Sequence, residues 1–203
     1  MASAELFARL GLFVRRDFFT PAEAAWLRQE AARAPADLAT VRDRGQEYAV
    51  DAETRRTTVA RVEPRAQALV LERLEALRPA LLAHFGVTAA GWRRPQFLVY
   101  RVGDFFRAHE DGARDPGAPS VSRDRRVSVV VFLNDEAPEP SPGTYGGGAL
   151  TFFGLLDDPR LKARGLALTG QAGLLVAFRP DVLHEVTEVT HGERYTIVTW
   201  LAD

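Results

Sequence analysis

The sequence predicts a mainly β fold with N-terminal helices, in the α+β class, and three observations support this prediction. Residues 95–203 contain short runs of β-branched and aromatic residues separated by Gly, Pro and Asp, as in antiparallel sandwiches and barrels. Two segments with helical patterns precede these runs. The 203 residues are 46% hydrophobic, which suffices for one substantial core. We therefore expect a single domain over residues 1–203, in which residues 1–94 form a helical support layer with flanking strands and residues 95–203 form the β-core.

The N-terminal layer contains two predicted helices. Thr20-Pro21-Ala22-Glu23 combines an N-cap hydroxyl, a proline at the first helical position and a glutamate three residues after the cap, so a helix should begin there and end near Pro35. Residues 36–54 are mixed and charged, which predicts a loop, and the β-branched segment 57–62 predicts a strand. Residues 64–85 are the second helix, because apolar residues recur at helical spacing, namely Ala68, Leu71, Leu74, Leu77 and Leu81.

The β-core consists of predicted strands in the order QFLVYRV, FFRAHED, RRVSVVVFLN, ALTFFG, GLLVAF, HEVTEV and RYTIVTW. The segment EAPEPSPGTYGGG, residues 136–148, is rich in Pro and Gly and predicts a long connection. Its glycines 146–148 are not followed by Lys-Ser or Lys-Thr, which favours loop flexibility over phosphate binding.

The composition restricts the classes of partner. The chain has 26 Lys and Arg against 27 Asp and Glu, so we expect no nucleic-acid or membrane partner. The absence of cysteine excludes disulfides and thiol chemistry. Residues 1–16 lack the order of basic, apolar and small residues that is typical of a signal peptide. No apolar run approaches the length of about 20 residues that is needed to span a bilayer. We therefore expect a cytoplasmic location. The oligomeric state stays open.

His109 and Asp111, in the segment RAHEDG, are the first candidate metal ligands. Side chains alternate along a strand, so these two project to the same side. A second histidine from a distant strand would complete a two-His-one-carboxylate set with open coordination positions, whereas the pair alone is more typical of a solvated turn. His84 lies near the end of the second helix and His191 in an expected hairpin turn. His184 opens a strand after a Pro-Asp turn, so it is the expected third ligand.

Arg194 is the candidate anion-binding residue. It begins the strand RYTIVTW, and in a hairpin that turns near Gly192 it would lie on the strand next to His184. A buried guanidinium needs an anion, and a small carboxylate bound through two hydrogen bonds would suit its geometry. The alternative is a surface ion pair with Glu185 or Glu188, worth only about 0–1 kcal/mol.

Taken together, these residues resemble the iron(II)- and 2-oxoglutarate-dependent dioxygenases, especially the prolyl 4-hydroxylase-like branch. His109, Asp111 and His184 match the iron ligands of the family's HxD…H motif. Arg194 matches the basic residue that binds the far carboxylate of 2-oxoglutarate, and Tyr100 matches a tyrosine that contacts this cosubstrate. The segments FLND, YGGGAL, GLLVAF, HEV and GERYTIVTW match consecutive core segments of the family.

The resemblance implies a double-stranded β-helix, the jelly-roll or cupin-like barrel, with helices on one outer face. It implies Fe(II) as the metal, 2-oxoglutarate and O2 as cosubstrates, and it allows ascorbate as a reductant. The implied reaction hydroxylates a C–H bond while 2-oxoglutarate is oxidised to succinate and CO2, so no catalytic residue beyond the metal ligands is expected. For Tyr100, ordinary strand packing is the alternative.

The substrate stays open among alternatives. The branch implies a protein or peptide side chain, although Arg194 and the pattern Gly147-Gly148-Ala149-Leu150 differ from the lysine and the Gly-Gly-x-Thr of collagen-type enzymes. A free amino acid or another small metabolite is the second alternative, and it would need a closed pocket. A non-catalytic jelly-roll binding module is the third, and the intact Asp111 argues against it.

Three segments are expected to border the mouth of the site and to set its specificity, namely residues 36–54, 112–124 and 136–148. The arginines of SRDRR, residues 122–126, lie close to the HxD motif in sequence. We expect them to be solvated, with contact to an acidic substrate as the alternative.

Overall fold

The computed structural model describes residues 2–39, 41–42, 48–49, 51–112, 123–156 and 164–203. Its helices are α1 (Ala2–Arg9), α2 (Pro21–Arg33) and α3 (Pro64–Phe85). The strands of the N-terminal part are β1 (Phe13–Arg15), β2 (Ala36–Leu38), β3 (Val41–Arg42), β4 (Tyr48–Ala49), β5 (Arg55–Arg56), β6 (Thr58–Ala60) and β7 (Gly91–Trp92). The remaining strands are β8 (Gln96–Tyr100), β9 (Phe105–His109), β10 (Arg125–Phe132), β11 (Tyr145–Gly147), β12 (Leu150–Phe152), β13 (Leu166–Leu168), β14 (Leu175–Phe178), β15 (His184–Val186), β16 (Val189–Gly192) and β17 (Arg194–Ala202).

Both predicted helices are confirmed. Thr20 Oγ1 accepts a hydrogen bond from the Glu23 amide at 3.2 Å, and the Glu23 carboxylate accepts one from the Thr20 amide at 2.9 Å, which completes the capping box of α2. Helix α3 ends at Gly86, whose left-handed φ of 61° costs a glycine little. Glu23 also pairs with Arg73 of α3 at 2.6 Å, so the start of α2 is tied to the other helix.

Two antiparallel sheets form the β-core. The larger sheet has the strand order β1-β14-β10-β17-β8-β6-β2, with β7 paired to β17, and the smaller sheet has the order β13-β12-β15-β9-β5. Strands β11 and β16 form a separate two-stranded ribbon, and β3 pairs with β4. The prediction of a mainly β fold with N-terminal helices is therefore confirmed.

The larger sheet is covered on both faces. On β10, Val129 and Val131 pack with helices α2 and α3, while Val130 and Phe132 pack with Leu150 and other residues of the smaller sheet. Alternation of side chains along a strand sends neighbouring valines to opposite faces. The uninterrupted apolar run VSVVVF is thus explained by burial on both sides.

The structure differs from the sequence prediction in the N-terminal region. Residues 36–54, predicted as a loop, contain β2, which extends the larger sheet by pairing with β6. Strand β2 has only three residues, all exposed, which is too short for the alternating pattern by which a strand is predicted. Helix α1 and strand β1 were not predicted either. Among the described residues, no helix is long and apolar enough to span a membrane.

We predict that Thr20→Ala lowers the free energy of unfolding by about 1 kcal/mol, because the Glu23 amide loses its side-chain acceptor. Thr20→Ser keeps the hydroxyl and is the matched control. Urea denaturation followed by circular dichroism measures both variants. An equal loss in the two variants would contradict this role of the hydroxyl.

Candidate metal and anion site

The smaller sheet holds the three candidate metal ligands. His109 ends β9 and His184 begins β15, and the two residues are partners in the antiparallel ladder. Asp111 follows His109 by two residues, and its Oδ1 lies 3.8 Å from His109 Nε2. Asp111 Oδ2 lies 3.8 Å from His184 Nε2, and the donor atoms of all three residues lie within 4.8 Å of one another. The structure therefore brings the sequence-predicted ligands together.

The two imidazoles are oriented by the backbone. His109 Nδ1 lies 2.8 Å from the carbonyl oxygen of Arg107, and His184 Nδ1 lies 2.9 Å from that of Val182. A proton on each Nδ1 is donated to the carbonyl, which leaves the Nε2 lone pair directed at the centre of the cluster. The ring of His109 also stacks on Phe106, with centroids 3.5 Å apart.

The protonation states suit a metal ion. Burial lowers the pKa of His109, and the neighbouring His184 lowers it further. Burial by itself raises the pKa of Asp111, but His184, His109 and Arg125 outweigh it and hold the pKa of this carboxyl below its usual value. At neutral pH His109 is neutral and Asp111 is ionised, which are the states that bind metal. Two imidazoles and one carboxylate on one side of an ion are the donor set of non-haem Fe(II) centres.

Arg194 lies in the larger sheet and is only 1% exposed. It is the ladder partner of Tyr100, and its guanidinium carbon lies 5.0 Å from the Tyr100 ring centroid and 5.1 Å from that of Phe132. Nη1 donates to Thr196 Oγ1 at 3.2 Å, whereas Nε and Nη2 have no hydrogen-bond partner in the part of the chain that the structure describes. A buried cation with unpaired donors is costly unless an anion binds it. Its burial contradicts the alternative of a surface ion pair.

The predicted hairpin between His184 and Arg194 is wrong. Strand β15 pairs with β9 and β12 in the smaller sheet, and β17 pairs with β8 and β10 in the larger one. Between them, β16 pairs with β11, so His191 lies in a strand and is half-buried instead of occupying an exposed turn. The chain therefore changes sheets between the two residues, which places them on opposite walls of one cavity.

The cavity has a volume of about 660 Å³ and is lined by all three candidate ligands, Arg194 and Tyr100. Its lining includes residues 37–39 and 54 from the first predicted border segment and Gly112 from the second. The rest of that second segment, residues 113–122, lies outside the described residues. The third segment, 136–148, contributes nothing to the described lining. Instead, its Gly143 carbonyl accepts hydrogen bonds from Arg28 and Asn134.

Arg125 was expected to be solvated with the other arginines of residues 122–126, but it is half-buried and lines the cavity. Its guanidinium lies 3.8 Å from the centroid of the Trp200 ring, and Nη1 donates to the Asp111 carbonyl oxygen at 2.8 Å. Arg126 points away and pairs with Asp203. The predicted solvated cluster is therefore divided between the cavity and the surface. The register of β10 is irregular between Arg125 and Val127, so the two-residue period of the strand did not indicate which arginine faces the site.

Gly147 and Gly148 have positive φ angles of 67° and 59°. A Cβ atom on Gly148 would lie 2.9 Å from Arg194 Cδ, and one on Gly147 would lie 2.2 Å from the Glu188 carbonyl oxygen. These glycines allow the backbone to approach Arg194 and the Glu188 carbonyl closely. They thus have a packing role, which the prediction of loop flexibility did not include.

We predict that His184→Ala weakens Co(II) or Fe(II) binding by at least about 100-fold. Loss of a residue that only supports a metal ligand weakens binding by up to about 100-fold, so loss of a ligand itself should weaken it at least as much. His191→Ala removes a histidine that lies away from the cluster and should leave the affinity unchanged. Anaerobic calorimetric titration measures both variants. Equal affinities for His184→Ala and the unmutated chain would refute the ligand role.

Comparison with known proteins shows similar sequences and folds. The chain is 30% identical over 131 residues to a PKHD-type hydroxylase of Maricaulis maris, covering 62% of this chain and 51% of the relative. It is 33% identical over 132 residues to a PKHD-type hydroxylase of Shewanella sp. strain ANA-3, covering 63% of this chain and 52% of the relative. The chain thus spans about half the length of the curated relatives that it matches.

Among solved structures, a prolyl-4-hydroxylase of Pseudomonas putida superposes with a TM-score of 0.68 at 24% identity, covering 99% of this chain and 97% of that one. A prolyl hydroxylase of Trichoplax adhaerens, solved with a peptide fragment of the hypoxia inducible factor oxygen degradation domain, has a TM-score of 0.68 at 16% identity, with coverages of 98% and 87%. The predicted jelly-roll core is confirmed by this likeness.

Residues 95–202, more than half of the chain, match the sequence profile of the 2OG-Fe(II) oxygenase superfamily, which uses Fe(II) and 2-oxoglutarate. The chain belongs to this superfamily.

Proposed function

We propose that this protein is an Fe(II)- and 2-oxoglutarate-dependent hydroxylase in which His109, Asp111 and His184 hold the iron and Arg194 binds the cosubstrate. The observation that carries the proposal is the pairing, in one cavity, of a two-His-one-carboxylate cluster with a buried guanidinium that has two unpaired donors. 2-Oxoglutarate has a keto acid end that suits the metal and a distal carboxylate that suits the guanidinium. Iron, when bound, supplies the activation of O2 and the oxidation of the C–H bond.

The protein's own residues orient the cosubstrate and exclude water. Arg194 presents Nε and Nη2 to the distal carboxylate, and Thr196 holds Nη1. Tyr100 lies beside this guanidinium on the neighbouring strand, so it is our second candidate for contact with 2-oxoglutarate. Leu98 and Val186 are buried apolar residues that line the same cavity. Such a dry wall strengthens the charge interactions of the bound dicarboxylate.

For the substrate, we propose a protein or peptide side chain. The cavity of about 660 Å³ is lined by Asp37 and Arg94 as well as by Arg194 and the candidate metal ligands, so it is larger than a site for 2-oxoglutarate alone requires. Arg125 and Trp200 line the region next to Asp111 and offer a cationic and an aromatic surface to a substrate. The structural likeness to prolyl hydroxylases, one of them solved with a peptide, supports this choice.

Asp111→Ala should abolish succinate formation from 2-oxoglutarate, because an iron ligand is lost. Glu139→Gln is the control for loss of a carboxylate, since Glu139 is exposed and does not line the cavity. Succinate is measured by mass spectrometry in the presence of Fe(II) and ascorbate. Normal turnover in Asp111→Ala would refute the proposed iron site.

Arg194→Ala should raise the KM for 2-oxoglutarate by at least about 30-fold, because truncating one partner of a buried charge pair costs about 2 kcal/mol or more. Binding of the metal alone should be unchanged. The surface variant Arg126→Ala is the control for loss of a positive charge. A normal KM with a lowered kcat would assign Arg194 a different role.

The substrate class is tested by succinate release with proline-containing peptides, other peptides and free amino acids. We expect peptides to stimulate the release above the level without substrate. Stimulation by a free amino acid alone would favour the metabolite alternative. Absence of both turnover and the visible absorption of an Fe(II)–2-oxoglutarate chelate would favour a non-catalytic binding module.

A further inference from the structure

Tyr145 lies beside Arg194 but outside the cavity lining. It belongs to β11, its side chain is fully buried, and its Oη has no hydrogen-bond partner among the described residues. Buried phenol hydroxyls usually have a hydrogen-bond partner, so the unpaired hydroxyl of Tyr145 is unusual. Arg194, whose Nε and Nη2 also lack hydrogen-bond partners among the described residues, is close enough for its charge to act on the Tyr145 hydroxyl.

Two glycines make room for this arrangement. A Cβ atom on Gly170 would lie 2.0 Å from Tyr145 Oη, and one on Gly148 would lie 2.9 Å from Arg194 Cδ and 3.5 Å from Tyr145 Cε2. Any side chain at either position would displace Tyr145 or Arg194. Glycine at both positions thus leaves the space that the Tyr145 and Arg194 side chains occupy.

The phenol remains neutral at physiological pH. Burial raises the pKa of Tyr145 to about 12, although the positive charge of Arg194 acts in the opposite direction. A neutral hydroxyl oxygen can accept a hydrogen bond from a guanidinium N–H. Tyr145 therefore offers Arg194 an acceptor that adds no charge and leaves the positive charge available for an anion.

The other neighbours of Arg194 do not suffice to orient it. The rings of Tyr100 and Phe132 confine the guanidinium, but a cation–π contact tolerates rotation of the group. Hydrogen bonds are directional, and Thr196 supplies one of them, at Nη1. A second acceptor is needed to hold the donor fork in one orientation.

We propose that Tyr145 is a positioning residue that holds the Arg194 guanidinium in the orientation that receives the distal carboxylate of 2-oxoglutarate. This inference rests on the proposed function. It assigns a role to a side chain that touches neither the metal site nor the cavity, and that acts only through Arg194.

Tyr145→Phe tests the inference. We expect the dissociation constant of 2-oxoglutarate to rise about tenfold, as for loss of one hydrogen bond to a charged group. Binding of 2-oxobutyrate, which has the keto acid but no distal carboxylate, should be unchanged. Both are measured by anaerobic titration of the Fe(II) protein through the visible absorption of the chelate. A structural defect at the metal site would weaken both ligands alike.

Tyr195→Phe is the matched control, because its hydroxyl bonds to Glu193 and not to Arg194. A double-mutant cycle with Arg194→Lys provides the second measurement, since an ammonium has no fork to orient and the effect of Tyr145→Phe should shrink in that background. Thermal unfolding monitors folding. Should Tyr145→Phe not fold, Gly170→Ala, whose methyl group would press on Oη, is titrated with the same two ligands and should show the same selective loss.

Equal 2-oxoglutarate affinity in Tyr145→Phe and the unmutated protein, or an equal loss for both ligands, would overturn the inference while leaving the proposed function intact. An unmutated protein that forms no chelate with 2-oxoglutarate would overturn the proposed function, and this inference with it.

Discussion

The burial of one guanidinium between two apolar sheets is the constraint on which the site depends. Arg194 is almost fully buried, and a charge in that position is stable only if its surroundings compensate it. Two aromatic rings and the Thr196 hydroxyl compensate part of this cost, whereas Nε and Nη2 have no hydrogen-bond partner among the described residues. Because Asp111 and two histidines line the same cavity, an anion bound at Arg194 would share the cavity with the candidate metal centre.

The layered fold provides a rigid frame for these groups. Strand β17, which begins with Arg194, lies between β8 and β10 in the larger sheet, and that sheet is backed by helices α2 and α3. The candidate ligands on β9 and β15 are held in register by direct pairing of His109 with His184. Side chains on paired strands hold their positions better than side chains on loops, as metal coordination and bidentate recognition require.

The space between the two sheets is filled by apolar side chains on one side and contains the cavity on the other. Toward β13 and β14 their inner faces meet in an apolar core that includes Phe152 and Phe178. Toward β8 and β9 the faces enclose the cavity. Arg125 links the two sheets at the cavity, since it contacts Trp200 of the larger sheet and the Asp111 backbone beside the smaller one.

The sequence by itself determined the local features: the capping box at Thr20, the helix over residues 64–85, the apolar run of β10 and the shared side of His109 and Asp111. Each depends on interactions between residues a few positions apart, so its pattern is complete within a short window. The resemblance in the ordered motifs then pointed to His184 and Arg194. Only the tertiary structure decided that these two lie in different sheets, that Arg125 and not Arg126 faces the site, and that Gly148 and Gly170 admit Tyr145 beside Arg194. These outcomes depend on which distant strands pair and on the space left between them, and neither is encoded in the spacing of residues along the chain.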